Sequence, residues 1–176
     1  MMEYYLMEQL AENPVNPVIV DSVTYPYQLN EYNFQNIPQN HASYYESSAY
    51  TEFPGVLLWP TFMVSSAVKK VVQMYDETLQ WKTFMILPNE MSKMEQETAE
   101  YWIPNPRRYD CLHEDSVIMP EGTIKKMILD SRKIPNVDIF QIKNIAKNKI
   151  VVSLRLAESI SRRNIYGICF KPVEIK

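Results

Sequence analysis

The chain of 176 residues holds only three glycines, Gly55, Gly122 and Gly167, and they lie far apart. Glycine-rich phosphate loops, dinucleotide-binding turns and the strained elbow that presents a catalytic serine all need closely spaced glycines, so none of these is present. Cysteine is scarcer still. Cys111 and Cys169 could pair only once, which excludes a disulfide scaffold and leads us to expect two reduced, largely buried thiols. No H-E-x-x-H pattern occurs, and the only histidines are His41 and His113. Long apolar runs are missing as well: Val56 to Trp59 and Ile150 to Val152 fall far below the roughly 20 residues of a membrane-spanning helix. Met1-Met2-Glu3-Tyr4 shows no basic or apolar leader pattern. The expectation is a cytoplasmic protein that does not engage a membrane.

Positive charge is absent from a long stretch. No lysine or arginine precedes Lys69, while Glu3, Glu8, Glu12, Asp21, Glu31, Glu46 and Glu52 are all acidic. Against totals of 21 acidic and 18 basic residues, this leaves 14 acidic and 18 basic beyond residue 68, so the two parts carry formal charges of −7 and +4. Eight of the twelve tyrosines, among them Tyr32, Tyr44, Tyr45 and Tyr50, share the acidic stretch. Tyrosine gives large contact area at low entropic cost, and uncompensated carboxylates repel nucleic acid and steer cationic proteins inward. The segment suggests a surface for a basic protein partner, and a merely solvated acidic face is the alternative. Net charge −3 and a pI near 5.5 argue against a nucleic-acid partner.

One domain is expected, with residues 1–60 as a proline- and tyrosine-rich acidic segment and residues 61–176 as an α+β scaffold. Six prolines, at 14, 17, 26, 38, 54 and 60, divide the first part into short pieces, which predicts wrapping or edge strands and not a sheet centre. The polar run from Gln35 to Ser48 reads as an excursion. Beyond it, Phe62-Met63-Val64 runs into Ser65, which can cap a helix over Ser66 to Tyr75 with Val68, Val71, Val72 and Tyr75 inward. Trp81 to Leu87 and Tyr101 to Ile103 are β-prone, and Asn89 to Glu100 fits either a short helix or a loop. Pro120 to Leu129 spaces Ile124, Met127 and Ile128 as a third helix, and Val137 to Ile142 reads as a strand. Ile150-Val151-Val152 then leads into Ser153 and a helix marked by Leu156, Ala157 and Ile160, before a strand over Tyr166 to Val173.

The two strand, cap and helix units align at a spacing of 88: Ser65 with Ser153, Val68 with Leu156, Val72 with Ile160. This weak repeat predicts helices stacked on one face of a shared, largely antiparallel mixed sheet. Any strand followed by a capped helix gives a similar pattern. Trp59, Trp81 and Trp102 read as core fillers. Arg107-Arg108 and Arg162-Arg163 read as solvated charge, the second pair at a helix end where cations are favoured.

The one dense polar cluster is Tyr109 to Ser116. On a strand, Cys111, His113 and Asp115 would share a face and could bind zinc or form a thiol–imidazole pair. Against this, metal sites normally draw ligands from separate segments, and Cys169 lies in an apolar run. The expectation is no catalytic residue, no metal and no cofactor.

Across residues 56–174 the order of motifs resembles a family of bacterial polymorphic-toxin immunity proteins, the one called immunity protein eleven. The matching pieces are Val64-Ser65 opening a helix, the Tyr101 strand with Tyr109 to Ser116, Val137-Asp138-Ile139-Phe140, and Ile150-Val151-Val152-Ser153 with Ile165 to Phe170. Tyr166 departs from the threonine-like residue that the family places before Gly167. The resemblance implies a non-enzymatic cytoplasmic inhibitor that binds a cognate secreted toxin and blocks its active site. Glu31, Tyr32, Tyr44, Tyr45, Glu46, Tyr50 and Glu52 are the candidate toxin contacts. A structural or adaptor protein of a secretion-related assembly, and an enzyme built on Cys111 and His113, are the other classes.

Overall fold

A computed structural model describes residues 2–10, 18–19, 31–46, 51–90 and 97–176, excluding the side chains at 18, 19, 31 and 32. Both capped units form as the spacing predicts. Strand β5 (Met63–Ser65) passes into helix α2 (Ser66–Gln73), and β13 (Ile150–Ser153) passes into α3 (Leu154–Ser161). Ser65 (φ −65°, ψ 161°) and Ser153 (φ −68°, ψ 158°) hold the same extended conformation. Each side-chain oxygen accepts from the backbone N–H three residues on, Val68 at 3.4 Å and Leu156 at 3.3 Å. Such a bond satisfies one of the helix's orphan amide donors and is typically worth about 1 kcal/mol.

The fold is α+β, but the two units sit in separate sheets. One sheet has the order β14-β1-β13-β12-β8, and adds β14 (Ile168–Pro172), β1 (Tyr4–Gln9), β12 (Ile139–Ile142) and β8 (Arg108–Tyr109) around β13. The other runs β2-β3-β6-β7-β5-β4, with β2 (Val18–Ile19), β3 (Asn40–Glu46), β6 (Gln80–Pro88), β7 (Ala99–Asn105) and β4 (Val56–Leu57). The expectation of one shared sheet is corrected: each helix returns to its own.

Within each sheet lies the same antiparallel set of four, β4-β5-β7-β6 in one and β12-β13-β1-β14 in the other. The registers agree residue by residue. Val64 pairs with Val56 and Trp102, and its equivalent Val152 pairs with Ile139 and Tyr5. The Ser65 N–H donates to the Gly55 carbonyl and the Ser153 N–H to the Asp138 carbonyl, both at 2.9 Å. The chain is therefore a duplication, with one difference in order. In the first half β7 follows β6, whereas its counterpart β1 comes at the start of the chain, so the second half is circularly permuted relative to the first. Strand β3 then adds parallel to β6, and β8 adds parallel to β12.

Three apolar layers follow from strand alternation. Val64, Val68, Val72, Val152, Leu156 and Ile160 form the central layer, where the two helices pack between the inner faces of the sheets. Outer layers lie on the far faces: Phe34 and Ile37 from α1 (Glu31–Asn36) with Tyr45, Phe84 and Tyr101 on one, and Tyr4, Cys111, Phe140 and Val151 on the other. Each fully buried valine, leucine or isoleucine adds roughly 1.5 to 3 kcal/mol.

Three further expectations are corrected. The N-terminal segment supplies interior strands: β1 lies between β14 and β13, and β3 between β2 and β6. Gln35 to Ser48 is not an excursion over its described part, because α1 ends there and β3 pairs with β6 from Asn40 to Tyr45. Residues 120–129 are not a helix. Strands β9 (Val117–Ile118) and β10 (Ile124–Lys126) form a hairpin turned at Gly122 (φ +81°), where the Gly122 N–H donates to the Met119 carbonyl at 2.8 Å. Ile128 and Leu129 then form β11, parallel to β15 (Glu174–Ile175).

Candidate interaction surface

Side chains along β3 alternate between two environments because successive residues of a strand point to opposite faces. Ser43 and Tyr45 are fully buried toward the α1 layer, while Ala42, Tyr44 and Glu46 are exposed on the other face. The pairing places Ala42 beside Met85 and Tyr44 beside Leu87, and Met85 in turn faces Glu100 on β7. This face begins under α2, where Trp102 pairs with Val64, and continues outward across β6 and β3. There Thr83, Met85 and Leu87 are half-buried, and Tyr44 is 44% exposed.

The inner border of this open face is well fixed. The Trp102 indole N–H donates to Ser66 Oγ at 3.0 Å, and the Ser66 hydroxyl donates to Glu100 Oε2 at 2.9 Å. Lys69 lies over the Trp102 ring, 2.8 Å from its centroid, with Trp81 farther off at 5.8 Å. Burial lowers the Lys69 pKa below its ordinary value, with the Glu100 carboxylate acting in the opposite sense. The result is an apolar and aromatic platform with Glu46 and Glu100 exposed on it, a composition suited to a protein contact.

Of the residues expected to touch a toxin, the structure brings Tyr44 and Glu46 together on this face. Tyr45 is a correction. It is 0% exposed, its ring meets Phe53 edge to face at 5.5 Å between centroids, and its hydroxyl donates to the Glu97 backbone carbonyl at 3.2 Å. Strand alternation made Tyr44 and Tyr45 alternatives, and the apolar layer took Tyr45. Glu52 is exposed in the segment before Pro54, where its carboxylate adds to burial in raising the Tyr166 phenol. Glu31 and Tyr32 open α1, with side chains outside the described residues, and Tyr50 also lies outside them.

Cys111, His113 and Asp115 do not converge. Cys111 is fully buried, and that burial pushes its thiol pKa up to about 11, far from a nucleophile's range. His113 Nδ1 accepts from the Asp115 backbone N–H at 3.2 Å, and the Asp115 carboxylate pairs with Lys176. That is a turn held to the end of the chain. Among the described residues no three histidine, cysteine or acidic side chains gather as a metal site. Arg163 Nη1 donates to the Ser159 carbonyl and hydroxyl, so this pair does serve the end of α3.

Trp59 was expected in the core and is instead 56% exposed, beside an exposed Leu58. No local sequence signal marked it, because the loop carrying it is set by the β4–β5 hairpin. No protein-family model matches the chain, and no curated protein matches it either. Among the described residues no helix is long and apolar enough to cross a membrane.

Proposed function

We infer that this chain is an immunity protein that binds a cognate secreted toxin in the producer's cytoplasm and neutralises it by direct protein contact. The observation that carries the reading is the open face of β3, β6 and β7, where Tyr44 stands exposed over half-buried Met85 and Leu87 with Glu46 and Glu100 around it. A tyrosine on an apolar floor, with two exposed carboxylates on the same face, suits a partner with a basic surface, since the acid groups speed encounter and the tyrosine supplies the anchor. The resemblance of its motif order to immunity protein eleven is in keeping with the same role. The enzyme alternative is weakened by the burial of Cys111 and its raised pKa.

Co-expression with the toxic domain encoded beside this chain tests the function. Rescue of growth with co-purification of both chains is the expected result, and a toxin that kills equally with and without this chain overturns the reading. Tyr44→Ala with Glu46→Lys tests the surface separately. Affinity should fall by at least about tenfold, equivalent to 1.4 kcal/mol. Undiminished binding by this double variant would move the contact away from β3.

A further inference from the structure

The β4–β5 connection, residues 58–62, and the β12–β13 connection, residues 143–149, are the same hairpin in the two halves of the duplication. They lie against each other. Gln141 Nε2 donates to Asn148 Oδ1 at 2.9 Å, and Asn148 Nδ2 donates to the hydroxyl oxygen of Thr61 at 3.4 Å, joining one half to the other. Glu8 of β1 pairs with Lys149 and, at 2.8 Å, with Lys171. Burial opposes ionisation of Glu8, but the hydrogen bonds from these two lysines outweigh it and keep the carboxyl below its ordinary range.

Between the two hairpins is a crevice of about 170 Å³. Met7 and Phe62 are its buried floor, Leu58 and Trp59 its apolar lip, and Lys147 and Lys149 its cationic lip. Leu58 is 43% exposed and Trp59 is 56% exposed, so an apolar edge faces solvent here. Lys147 is exposed and, among the described residues, makes no ion pair; it also borders a second crevice toward Thr123 and Ile124. The repeated hairpins have thus diverged in chemistry, one to indole and leucine, the other to lysine, and they meet where a guest would touch both.

Size limits the guest. Pockets for cofactors and drug-sized ligands run to roughly 300–1,000 Å³, whereas an apolar cavity of about 150 Å³ holds one benzene ring. A single aromatic or branched side chain is the right volume. Charge limits it further: Lys147 and Lys149 line the crevice against the lone carboxylate of Glu8, which leaves the lining net positive.

We propose that this crevice receives one aromatic or branched aliphatic side chain from an acidic segment of a partner protein. The guest ring packs against Trp59 over Met7 and Phe62, and carboxylates beside it in the partner pair with Lys147. The proposal is independent of the toxin contact at Tyr44, since the charge it selects for is the opposite one.

The test uses the full chain and a fluorescently labelled random glutamate–tyrosine copolymer, with binding followed by anisotropy at about 0.05 and 0.15 M salt. The expected result is saturable binding that weakens with salt and falls by at least about tenfold in Trp59→Ala and in Lys147→Glu. A thermal melt of each variant checks that the fold is kept, and Lys147→Gln, at an exposed position, should fall between wild type and the charge reversal. Polyglutamate without tyrosine should bind at least about tenfold more weakly than the copolymer. The proposal is overturned by absence of saturable binding up to about 1 mM tyrosine, by variants that bind like wild type, or by polyglutamate that matches the copolymer. Equal competition by oligothymidylate also overturns it, because the site would then belong to single-stranded nucleic acid.

Discussion

Tyr4 and Tyr101 occupy equivalent places in the two halves of the chain, 97 residues apart on strands β1 and β7, and make the same hydrogen bond. The Tyr101 hydroxyl donates to the Pro54 carbonyl at 2.5 Å, and the Tyr4 hydroxyl to the Val137 carbonyl at 3.1 Å. Each acceptor lies two residues before the first residue of its hairpin strand, Val56 in one half and Ile139 in the other. The Tyr101 bond is buried and the Tyr4 bond only partly so. Tyr101→Phe should therefore destabilise by about 1 to 2 kcal/mol and Tyr4→Phe by about half as much. Urea midpoints at constant slope would measure both, and a larger loss for Tyr4→Phe would show that the two bonds are not alike.

The caps offer a sharper comparison. Ser65 does one job, accepting from Val68. Ser153 does two, because its hydroxyl also donates to Asp138 Oδ1 at 2.5 Å, where Gly55 stands in the other half. Asp138 is only 7% exposed and receives both Arg155 Nε and Nη2 at 2.5 Å. Ser65→Ala should lose about 1 kcal/mol, the value of a cap. Ser153→Ala should lose about 2 to 3 kcal/mol, because a buried carboxylate also gives up a donor. Equal losses in chemical denaturation would mean that the Arg155 pair alone satisfies Asp138.

The capped helices were legible because their signals are local: a hydroxyl, then apolar residues at helical spacing. The 88-residue spacing was legible for the same reason, and both of its units formed. What it could not reveal was the second sheet. Residues 150–153 pair with residues 4–7, and nothing near either segment announces a partner at that distance. Proline content misled for β1 and β3, since Pro14, Pro17 and Pro38 lie outside both strands and leave their donors intact. Ile124, Met127 and Ile128 do keep helical spacing, but Gly122 at positive φ turns the chain first, and a short apolar run fits a strand equally well. Of the candidate contacts, Tyr44 and Tyr45 were indistinguishable until a neighbouring layer decided which face was buried.

Circular permutation can be tested directly. Met2 and Ile175 border the same two crevices, so a short glycine–serine linker can join residue 176 to residue 2. With new ends between β1 and β2, the second half reads β12-β13-α3-β14-β1, in the order of β4-β5-α2-β6-β7. This permutant should fold, with a Tm within about 5 °C of the parent. Loss of cooperative melting would mean that β1 must be covalently continuous with β2.

Cys111 should be chemically silent. Its thiol is buried and its pKa lies near 11, so at pH 7.5 almost none is thiolate. Iodoacetamide should leave it unmodified in the native protein while labelling the half-buried Cys169 first. Cys111→Ala should lower stability by about 1 to 2 kcal/mol, through the void it leaves, without changing any binding. Rapid labelling of Cys111 below pH 7 would return the thiol–imidazole enzyme to consideration.

Glu8 of β1 ties β14 and the β12–β13 connection together within the second half, through Lys171 and Lys149, and this tie should fail in acid. Burial of Glu8 favours its neutral form, but the hydrogen bonds from Lys149 and Lys171 are stronger in sum, and the folded-state pKa lies below the ordinary 4.5. A carboxyl whose folded pKa is depressed is protonated more readily in the unfolded chain. Its contribution is therefore complete above about pH 4.5 and declines as pH falls through the folded value. Asp115, held low by Lys176, and Asp130, held low by Arg132, act in the same direction. Wild-type stability should fall steadily from about pH 5 downward. Glu8→Gln should be less stable by about 1 to 2 kcal/mol at pH 7, yet show a shallower fall in acid, because one of the three depressed carboxyls is gone. Parallel curves for the two proteins in urea titrations from pH 3 to 7 would show that the Glu8 pairs are not coupled to folding.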